Sequence, residues 1–351
     1  MNIINTENAL KLHDMLTAAE RPVIVTHMKP DGDAIGSSMG MYHTLRLYGK
    51  KAKVALVNPA PANLDFLLPS EVMEDVLIHE KDKGATEKAI YGSDLIICLD
   101  FNAFPRTDTL ENALTEAKAI KVLIDHHLAP DTDKFSLIFS KQDISSASEL
   151  LYHVLMILPP IGNDAKRLPS EAAIALMTGM TTDTNNFANS VFPSTFAMAS
   201  ELISAGTDRD MIISKIYNRF KESRLRLQGH VLKDLLNTTP YGVAYIVLDK
   251  QTMAKYNVED GDTEGFVNLP LTIDNIVLSV FVKEDNGFAR ISVRSKKGTS
   301  ANRCAKQYFH GGGHENAAGG RLFIPGDIEC IGMAGDYIEK VTYDFINTEN
   351  E

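Results

Sequence analysis

The sequence predicts an α/β protein in which a mostly parallel N-terminal sheet flanked by helices is followed by a helical linker and a smaller C-terminal α/β domain. The functional site is expected in the cleft between the two domains. Three observations predict this class. Short β-rich apolar runs alternate with stretches of helical periodicity through the N-terminal portion, the βαβ pattern of a parallel sheet. A polar helical stretch without proline, 206–237, follows it, and strand patterns return beyond Pro240. A chain of 351 residues is also too long for one ordinary core and suits two domains. The expected boundaries are 1–205 for the first domain, 206–239 for the linker and 240–351 for the second domain.

Taken in order, "RPVIVTH", "KAKVALVN", "SDLIICLDF" and "AIKVLIDHH" read as four strands of the first domain. Between the first two, Ile35, Met39, Tyr42 and Leu45 recur at spacings of four and three, which puts one apolar face on a helix that Gly49 ends. A second helix is expected over Ser170 to Met180, entered by Pro169 and capped by Ser170. In the second domain "YGVAYIVLD", "NIVLSVFVKE" and "GFARISVRS" read as strands, followed by a glycine-dense turn and a last helix near "CIGMAGDYIEKVTYDF".

Composition narrows the function. With 44% hydrophobic and 23% charged residues the chain reads as globular. Its apolar runs fall short of the ~18 residues of a membrane span, and no signal-peptide pattern opens it, so cytoplasmic residence and no membrane partner are expected. Cys98, Cys304 and Cys330 are widely spaced without a CxxC, which fits buried reduced thiols rather than disulfides or a zinc knuckle. A formal net charge of −11 argues against coating long nucleic acid, which depends on releasing counterions from many phosphates. A small phosphorylated substrate held by a local basic patch is compatible with it.

The chemistry concentrates at strand ends. Alone, Pro30-Asp31-Gly32 is a turn and Asp33 a helix N-cap. The pattern recurs, however: His27, Asp31 and Asp33 follow the first strand, Asp100 closes "LIICLD", Asp125-His126-His127 closes "KVLID", and Asp183 ends "GMTTD". Open α/β sheets bind ligands at such carboxyl ends. Carboxylates there are costly to desolvate unless paired or bound to metal, and several meeting at one edge repel one another. Divalent cations resolve the conflict. A set of two imidazoles and four carboxylates without thiolate suits a borderline-hard ion such as Mn²⁺, with Mg²⁺ or Co²⁺ as substitutes. Two ions are expected, since six ligands exceed one catalytic site. Such a pair activates water and stabilises charge at phosphorus, which predicts hydrolysis of a phosphate ester or anhydride.

His27-x-x-Pro30-Asp31-Gly32-Asp33-Ala34-Ile35-Gly36, Asp100, Asp125-His126-His127 and Asp183, in this order, resemble the four motifs of the DHH phosphoesterase family. The resemblance implies two Mn²⁺ ions, with His27 and Asp31 on one, Asp33, His126 and Asp183 on the other, and Asp100 bridging them. It further implies that His127 faces the substrate phosphate and that Asp125 orients it from behind, so that Asp100, Asp125, His126 and His127 form the catalytic group. "ARISVRSKKGTSANRCAKQYFHGGGHENAAGG", Ala289 to Gly320, is similar to the DHH-associated C-terminal domain, marked by GGGH-x-x-A-A-G. His310 stands where members often carry a fourth glycine.

The residues themselves agree with this second resemblance. Arg290, Arg294, Lys296, Lys297, Arg303 and Lys306 fall in a stretch without an acidic residue. Gly311, Gly312 and Gly313 can turn successive N–H groups toward an anion, with His314 adding a donor. Arg294, Ser295, Lys296, Arg303, Gly311, Gly312, Gly313 and His314 are therefore the expected substrate contacts. The compact two-domain members of this family hydrolyse RNA of a few nucleotides and remove the 3′-phosphate of adenosine 3′,5′-bisphosphate, and the acidic net charge fits a short substrate. The alternatives are an inorganic pyrophosphatase or exopolyphosphatase and, in another class, a non-catalytic nucleotide or RNA-binding sensor. A sensor would be expected to lack a metal ligand, and all six are present. A homodimer is an expectation on general grounds alone.

Overall fold

The computed structural model describes residues 3–218, 220–259 and 261–349. The chain separates into two compact units, Met1–Arg219 and Phe220–Glu351.

The first unit contains α1 (Thr6–Ala18), β1 (Pro22–Val25), α2 (Gly32–Leu47), β2 (Lys53–Leu56), α3 (Ser70–Met73), β3 (Val76–Ile78), α4 (Lys83–Gly92), β4 (Leu95–Leu99), α5 (Glu111–Glu116), β5 (Ile120–Asp125), β6 (Leu137–Ser140), α6 (Ala147–Ile157), α7 (Ser170–Asp183), α8 (Pro193–Ser204) and α9 (Arg209–Tyr217). Its six strands run in the order β3-β2-β1-β4-β5-β6, and every pairing is parallel. The four expected strands are β1, β2, β4 and β5. Their runs are apolar at nearly every position because both faces are covered. Ile24, Val54, Ile97 and Val122 face the core shared with α1, α2, α6 and α7. Val25, Ala55, Cys98 and Leu123 face a second core closed by α4 and α5. The sequence order reverses between β1 and β4, so their outgoing loops diverge and leave a crevice at the carboxyl edge.

α2 and α7 pack with their backbones in close approach. A Cβ on Gly36 would lie 2.6 Å from the Ala175 carbonyl and 2.7 Å from Gly179, and one on Gly32 would overlap Thr182. The expected α2 and its end at Gly49, with φ +70°, are present. α7 differs from expectation in two ways. It continues to Asp183, and Pro169 is its N-cap, while the Ser170 hydroxyl donates to the Glu171 carboxylate at 2.9 Å and caps nothing.

The second unit contains α10 (Glu222–His230), β7 (Leu236–Thr238), β8 (Val243–Leu248), α11 (Lys250–Lys255), β9 (Leu278–Glu284), β10 (Phe288–Ser295), α12 (Ala301–Tyr308), β11 (Gly312–His314), β12 (Ala317–Phe323) and α13 (Ala334–Glu349). Its sheet order is β11-β12-β10-β9-β8-β7, antiparallel except for β8 with β9. One face packs under α12 and α13 through Ile291, Val293, Cys304 and Phe345. Part of the other lies under α10 through Leu227, Ile246 and Phe281.

The described part of 206–239 is helical only in part, since it ends in β7, and it is not a free linker. α9 inserts Ile212 and Ile216 into the first core, and α10 inserts Leu227 into the second unit. Among the described residues no helix is long and apolar enough to cross a membrane.

Gly36→Ala is expected to destabilise the protein by about 1–3 kcal/mol, because the new methyl meets backbone that cannot move aside. Gly92→Ala, whose Cβ enters open space at the end of α4, is expected to be neutral or mildly stabilising. Urea unfolding of the two variants checks the contrast.

Candidate active site

Every metal-ligand candidate belongs to the first unit and sits at the carboxyl edge of its sheet or at a helix end beside it. His27 emerges two residues past β1 and is buried. Its Nδ1–H donates to the Met28 carbonyl at 2.8 Å, which turns Nε2 toward Asp100 Oδ2 at 3.4 Å and Asp31 Oδ1 at 3.9 Å. Asp31 is the N-cap of α2, accepting from the backbone N–H groups of Asp33 and Ala34 at 3.0 and 3.1 Å. The cap expected of Asp33 is thus performed by Asp31. That frees Asp33 to reach sideways, where Oδ2 accepts from Ala147 N–H at 2.6 Å and Oδ1 from Ser148 N–H at 2.9 Å. Those N–H groups open α6, so the buried carboxylate lies at the positive end of a helix.

Asp100 follows β4 with φ +62°, a conformation tolerated by Asp better than by most side chains. This turn aims its carboxylate back over the sheet edge, 3.5 Å from His126 Nε2. Asp100 Oδ1 is buried without a hydrogen-bond partner. His126 Nε2 also lies 3.9 Å from Asp33 and 3.7 Å from Asp183, which the last turn of α7 delivers. Asp125, fully buried at the end of β5, accepts both from His127 Nδ1–H at 2.7 Å and from His127 backbone N–H at 3.1 Å. That pair fixes the imidazole and leaves its Nε2 for other partners.

Three overlapping sets have ligand atoms within 4.8 Å of one another: His27, Asp31 and Asp100; Asp33, His126 and Asp183; and Asp100, His126 and His127. Asp100 belongs to the first and third of them and His126 to the second and third, so the three sets are linked. The protonation states show what the cluster lacks. Burial alone would push His126 down, but Asp100, Asp33 and Asp183 reverse this and hold it up to about 10. Burial raises Asp183 to about 6 and Asp33 well above the usual range, with neighbouring carboxylates adding to the effect. Asp100 goes the other way, because His126 and His27 overcome its burial and hold it low. Protons thus supply the positive charge that the carboxylates need. A divalent cation supplies it better, and the orphaned Asp100 oxygen and the oxygen-rich, thiolate-free donor set fit such an ion.

The sequence reading missed the support behind Asp33. Ser146 caps α6 by accepting from Glu149 N–H at 3.0 Å. Glu149 is buried, and its carboxylate accepts from Ser145 N–H at 3.1 Å, the Ser145 hydroxyl and the Thr195 hydroxyl at 2.7 Å. The Ser146-x-x-Glu149 spacing was the available signal.

The substrate candidates lie in the second unit, where Gly311–Gly313 do not form an open nest. Gly312, Gly313 and His314 are the edge strand β11. Gly311 N–H donates to the Ala305 carbonyl at 3.1 Å and Gly313 N–H to Asn302 Oδ1 at 3.0 Å. Their lack of side chains serves packing, since a Cβ on Gly311 would sit 1.9 Å from the Gly319 carbonyl. His310 takes φ +46°, the conformation a glycine would adopt there without strain, and its Nε2 pairs with Asp327 at 3.0 Å. The His314 side chain lies outside what is described. Ser295 donates to the Thr299 carbonyl at 2.6 Å, and Lys296 caps the carbonyls of Ile273 and Asp274, both at 2.9 Å, so these two have internal roles. Arg303 is exposed on α12. Arg294 is half-buried, with one guanidinium nitrogen donating to the Val293 and Ala318 carbonyls at 2.9 and 3.3 Å.

Residues 21–180 match the DHH family, N-terminal domain, and residues 239–329 match the DHHA1 domain. The chain is 30% identical over 322 residues to the probable bifunctional oligoribonuclease and PAP phosphatase NrnA of Streptococcus mutans, covering 90% of this chain and 94% of that one. It is 29% identical to the bifunctional oligoribonuclease and PAP phosphatase NrnA of Thermus thermophilus, over 88% and 86% of the two chains. The crystal structure of an exopolyphosphatase-related protein from Bacteroides fragilis matches with a TM-score of 0.89 at 36% identity, covering 99% of both chains. A manganese-bound exonuclease RecJ matches with a TM-score of 0.57 at 15% identity, over 97% and 95% of the two chains, a likeness of fold.

Glu149 has an ordinary value of 4.5 and is held at about 2, because hydrogen bonds from His153, Ser145, Ser194 and Thr195 outweigh its burial. Its folded value is depressed, so its stabilising contribution is complete above 4.5 and is lost as pH falls toward 2. Glu149→Gln is expected to lower the melting temperature at neutral pH and to flatten its decline over that acid window, which melting curves across pH would check.

Proposed function

The chain belongs to the DHH family, and on that premise we propose that this hydrolase cleaves RNA of a few nucleotides to mononucleotides and removes the 3′-phosphate of adenosine 3′,5′-bisphosphate. The observation that carries the reading is the linkage of three ligand sets, His27–Asp31–Asp100 and Asp100–His126–His127 through Asp100, and the latter and Asp33–His126–Asp183 through His126. The names of the Streptococcus and Thermus relatives support the substrate class.

We assign one divalent ion to His27, Asp31 and Asp100 and a second to Asp33, His126, Asp183 and Asp100, with Mn²⁺ as the proposed metal and Mg²⁺ or Co²⁺ as substitutes. Such ions, when bound, lower the pKa of water and stabilise charge developing at phosphorus. The protein's part is to hold the groups in place. The Met28 carbonyl orients His27 so that Nε2 points inward, and the α6 N–H groups stop Asp33 from rotating. Asp125 locks His127 so that its Nε2 edge faces the substrate phosphate. Arg294 pairs with a phosphate of the substrate in the second unit. Long nucleic acid is expected to be a poor substrate on grounds of charge. Cys98, Cys304 and Cys330 form no disulfide, which suits the reducing cytoplasm proposed as its location. A second reading, cleavage of phosphoanhydrides, is favoured only by the name of the Bacteroides structure.

The deciding experiment offers the purified, Mn²⁺-loaded protein adenosine 3′,5′-bisphosphate, 5′-phosphorylated RNA of two, five and twenty-four nucleotides, pyrophosphate and polyphosphate. Preference for the bisphosphate and the two-mer is expected. Turnover of the anhydrides alone would establish the second reading, and silence on all substrates with metal bound would return the protein to the sensor class.

Asp100→Asn is expected to lower kcat by at least about a thousandfold together with metal stoichiometry by calorimetry, whereas Arg294→Ala raises KM with kcat largely kept. An unchanged KM in Arg294→Ala would remove that residue from substrate binding.

A further inference from the structure

His27 and Asp31, the ends of one ligand set, are joined by Met28, Lys29 and Pro30, so the path of this short connection decides where both side chains point. Pro30 has no N–H by which it could be held. Lys29 takes φ +52°, a left-handed backbone uncommon for any residue but glycine, although the proline after it favours extended backbone at that position. Such a conformation persists where the surroundings overdetermine it. Two hydrogen bonds from elsewhere in the first unit hold the connection. Met28 N–H donates to the Arg106 carbonyl at 2.9 Å, and Lys29 N–H donates to Asn58 Oδ1 at 2.9 Å. Of these two, the second is the one made by a side chain.

That bond acts on His27 through one peptide group. The N–H of Lys29 and the C=O of Met28 belong to the same planar, trans peptide and therefore point in opposite directions. The carbonyl accepts from His27 Nδ1–H at 2.8 Å. Asn58 thus holds one side of the peptide plane while the His27 ring is tied to the other, and rotating the plane would swing Nε2 away from Asp100 and Asp31. The Asn58 amide is itself oriented, because its Nδ2 donates to Glu80 Oε2 at 3.0 Å. Turning it over would set its N–H against the Lys29 N–H and its oxygen against the Glu80 carboxylate. The sheet brings these groups together. β1 and β2 are parallel with Val25 paired to Ala55, so both chains leave the carboxyl edge side by side and Asn58 meets Lys29 just beyond it. Glu80, past the end of β3, is anchored by its own N–H to the Val57 carbonyl at 3.1 Å.

We infer that Asn58 is a positioning residue for the His27 metal site. Its carboxamide fixes the Met28–Lys29 peptide and, through it, the direction in which His27 presents Nε2. The inference rests on the two-metal reading given above and involves no contact between Asn58 and substrate. A metal-ligating histidine depends on the partner of its other ring nitrogen, and losing such support costs ~10- to 100-fold in metal affinity or activity. Here that partner is a backbone carbonyl, which no substitution deletes, and Asn58 is the side chain through which it can be disturbed. Asn58 and Lys29 are 29 residues apart, so no local motif links them.

The test titrates Mn²⁺ into the metal-free protein by calorimetry. Asn58→Ala is expected to weaken one of two ions roughly 10-fold and to leave the other at its wild-type affinity. For 5′-phosphorylated two-mer RNA it should lower kcat at limiting Mn²⁺, keep KM, and recover most of kcat when Mn²⁺ is in excess. Asn58→Asp/Glu80→Gln keeps an acceptor for the Lys29 N–H, moves the amide donor to the other partner and conserves net charge, so it is expected to regain the lost affinity. In a His27→Ala background, where the second ion alone remains, Asn58→Ala is expected to change nothing further, because the residue acts through His27. Three results overturn the inference while the two-metal reading stands: wild-type affinity for both ions in Asn58→Ala, an exchanged pair that binds no better than Asn58→Ala, or further loss in the His27→Ala background. A wild-type protein that binds fewer than two ions overturns the two-metal reading and the inference with it.

Discussion

The backbone contact between α2 and α7 is the constraint on which the site depends. Asp33 opens one helix and Asp183 closes the other, and the two carboxylates share His126 only because the helices meet without side chains between them at Gly36 and Gly179. A larger residue at either glycine would force neighbouring atoms of the site's support to shift. Gly179 matters twice, since a Cβ there would lie 2.0 Å from Ser148 Oγ and 2.9 Å from Asp33 Oδ1. The same close approach thus leaves room for the start of α6, whose N–H groups hold Asp33.

Bringing these carboxylates together has an electrostatic cost that the fold does not remove by itself. The buried Asp33 and Asp100 face each other across His126, and the cluster keeps a proton on that histidine well above its ordinary range. Asp100 adds a left-handed backbone and an oxygen with no partner. Such local penalties persist where the surroundings overdetermine them and where a ligand offsets them. Glu149 is a different case, a buried carboxylate with one oxygen, Oε2, surrounded by donors from Ser145 and Thr195 and no other carboxylate among the causes of its shift.

In the second unit the glycines and the cations have exchanged the roles that their sequence implies. Gly311 and Gly313 let β11 approach its neighbours, and Lys296 closes the end of a turn. Arg290 of β10 and Arg321 of β12 are exposed and stand opposite each other in the strand register. Register is what a local motif does not contain, because it depends on which strand pairs with which and at what offset.

Much of the fold was legible from local pattern. Strands buried on both faces must be apolar throughout, so β1, β2, β4 and β5 stood out, whereas β3 has only three residues and β6, at the sheet edge, is only half buried and ends on an exposed serine. Carboxylates at the ends of apolar runs have few physical excuses, and so the order of His27, Asp31, Asp33, Asp100, Asp125, His126, His127 and Asp183 was by itself enough to single out the chemistry. Which of them touch, that Asp31 rather than Asp33 caps α2, that α6 supports Asp33, and that Arg290 stands opposite Arg321 were decided only by the tertiary structure. A sequence records which groups a chain carries and how they repeat locally. Distances between groups far apart in the chain are set by helix packing and strand register, which emerge only when the whole core closes.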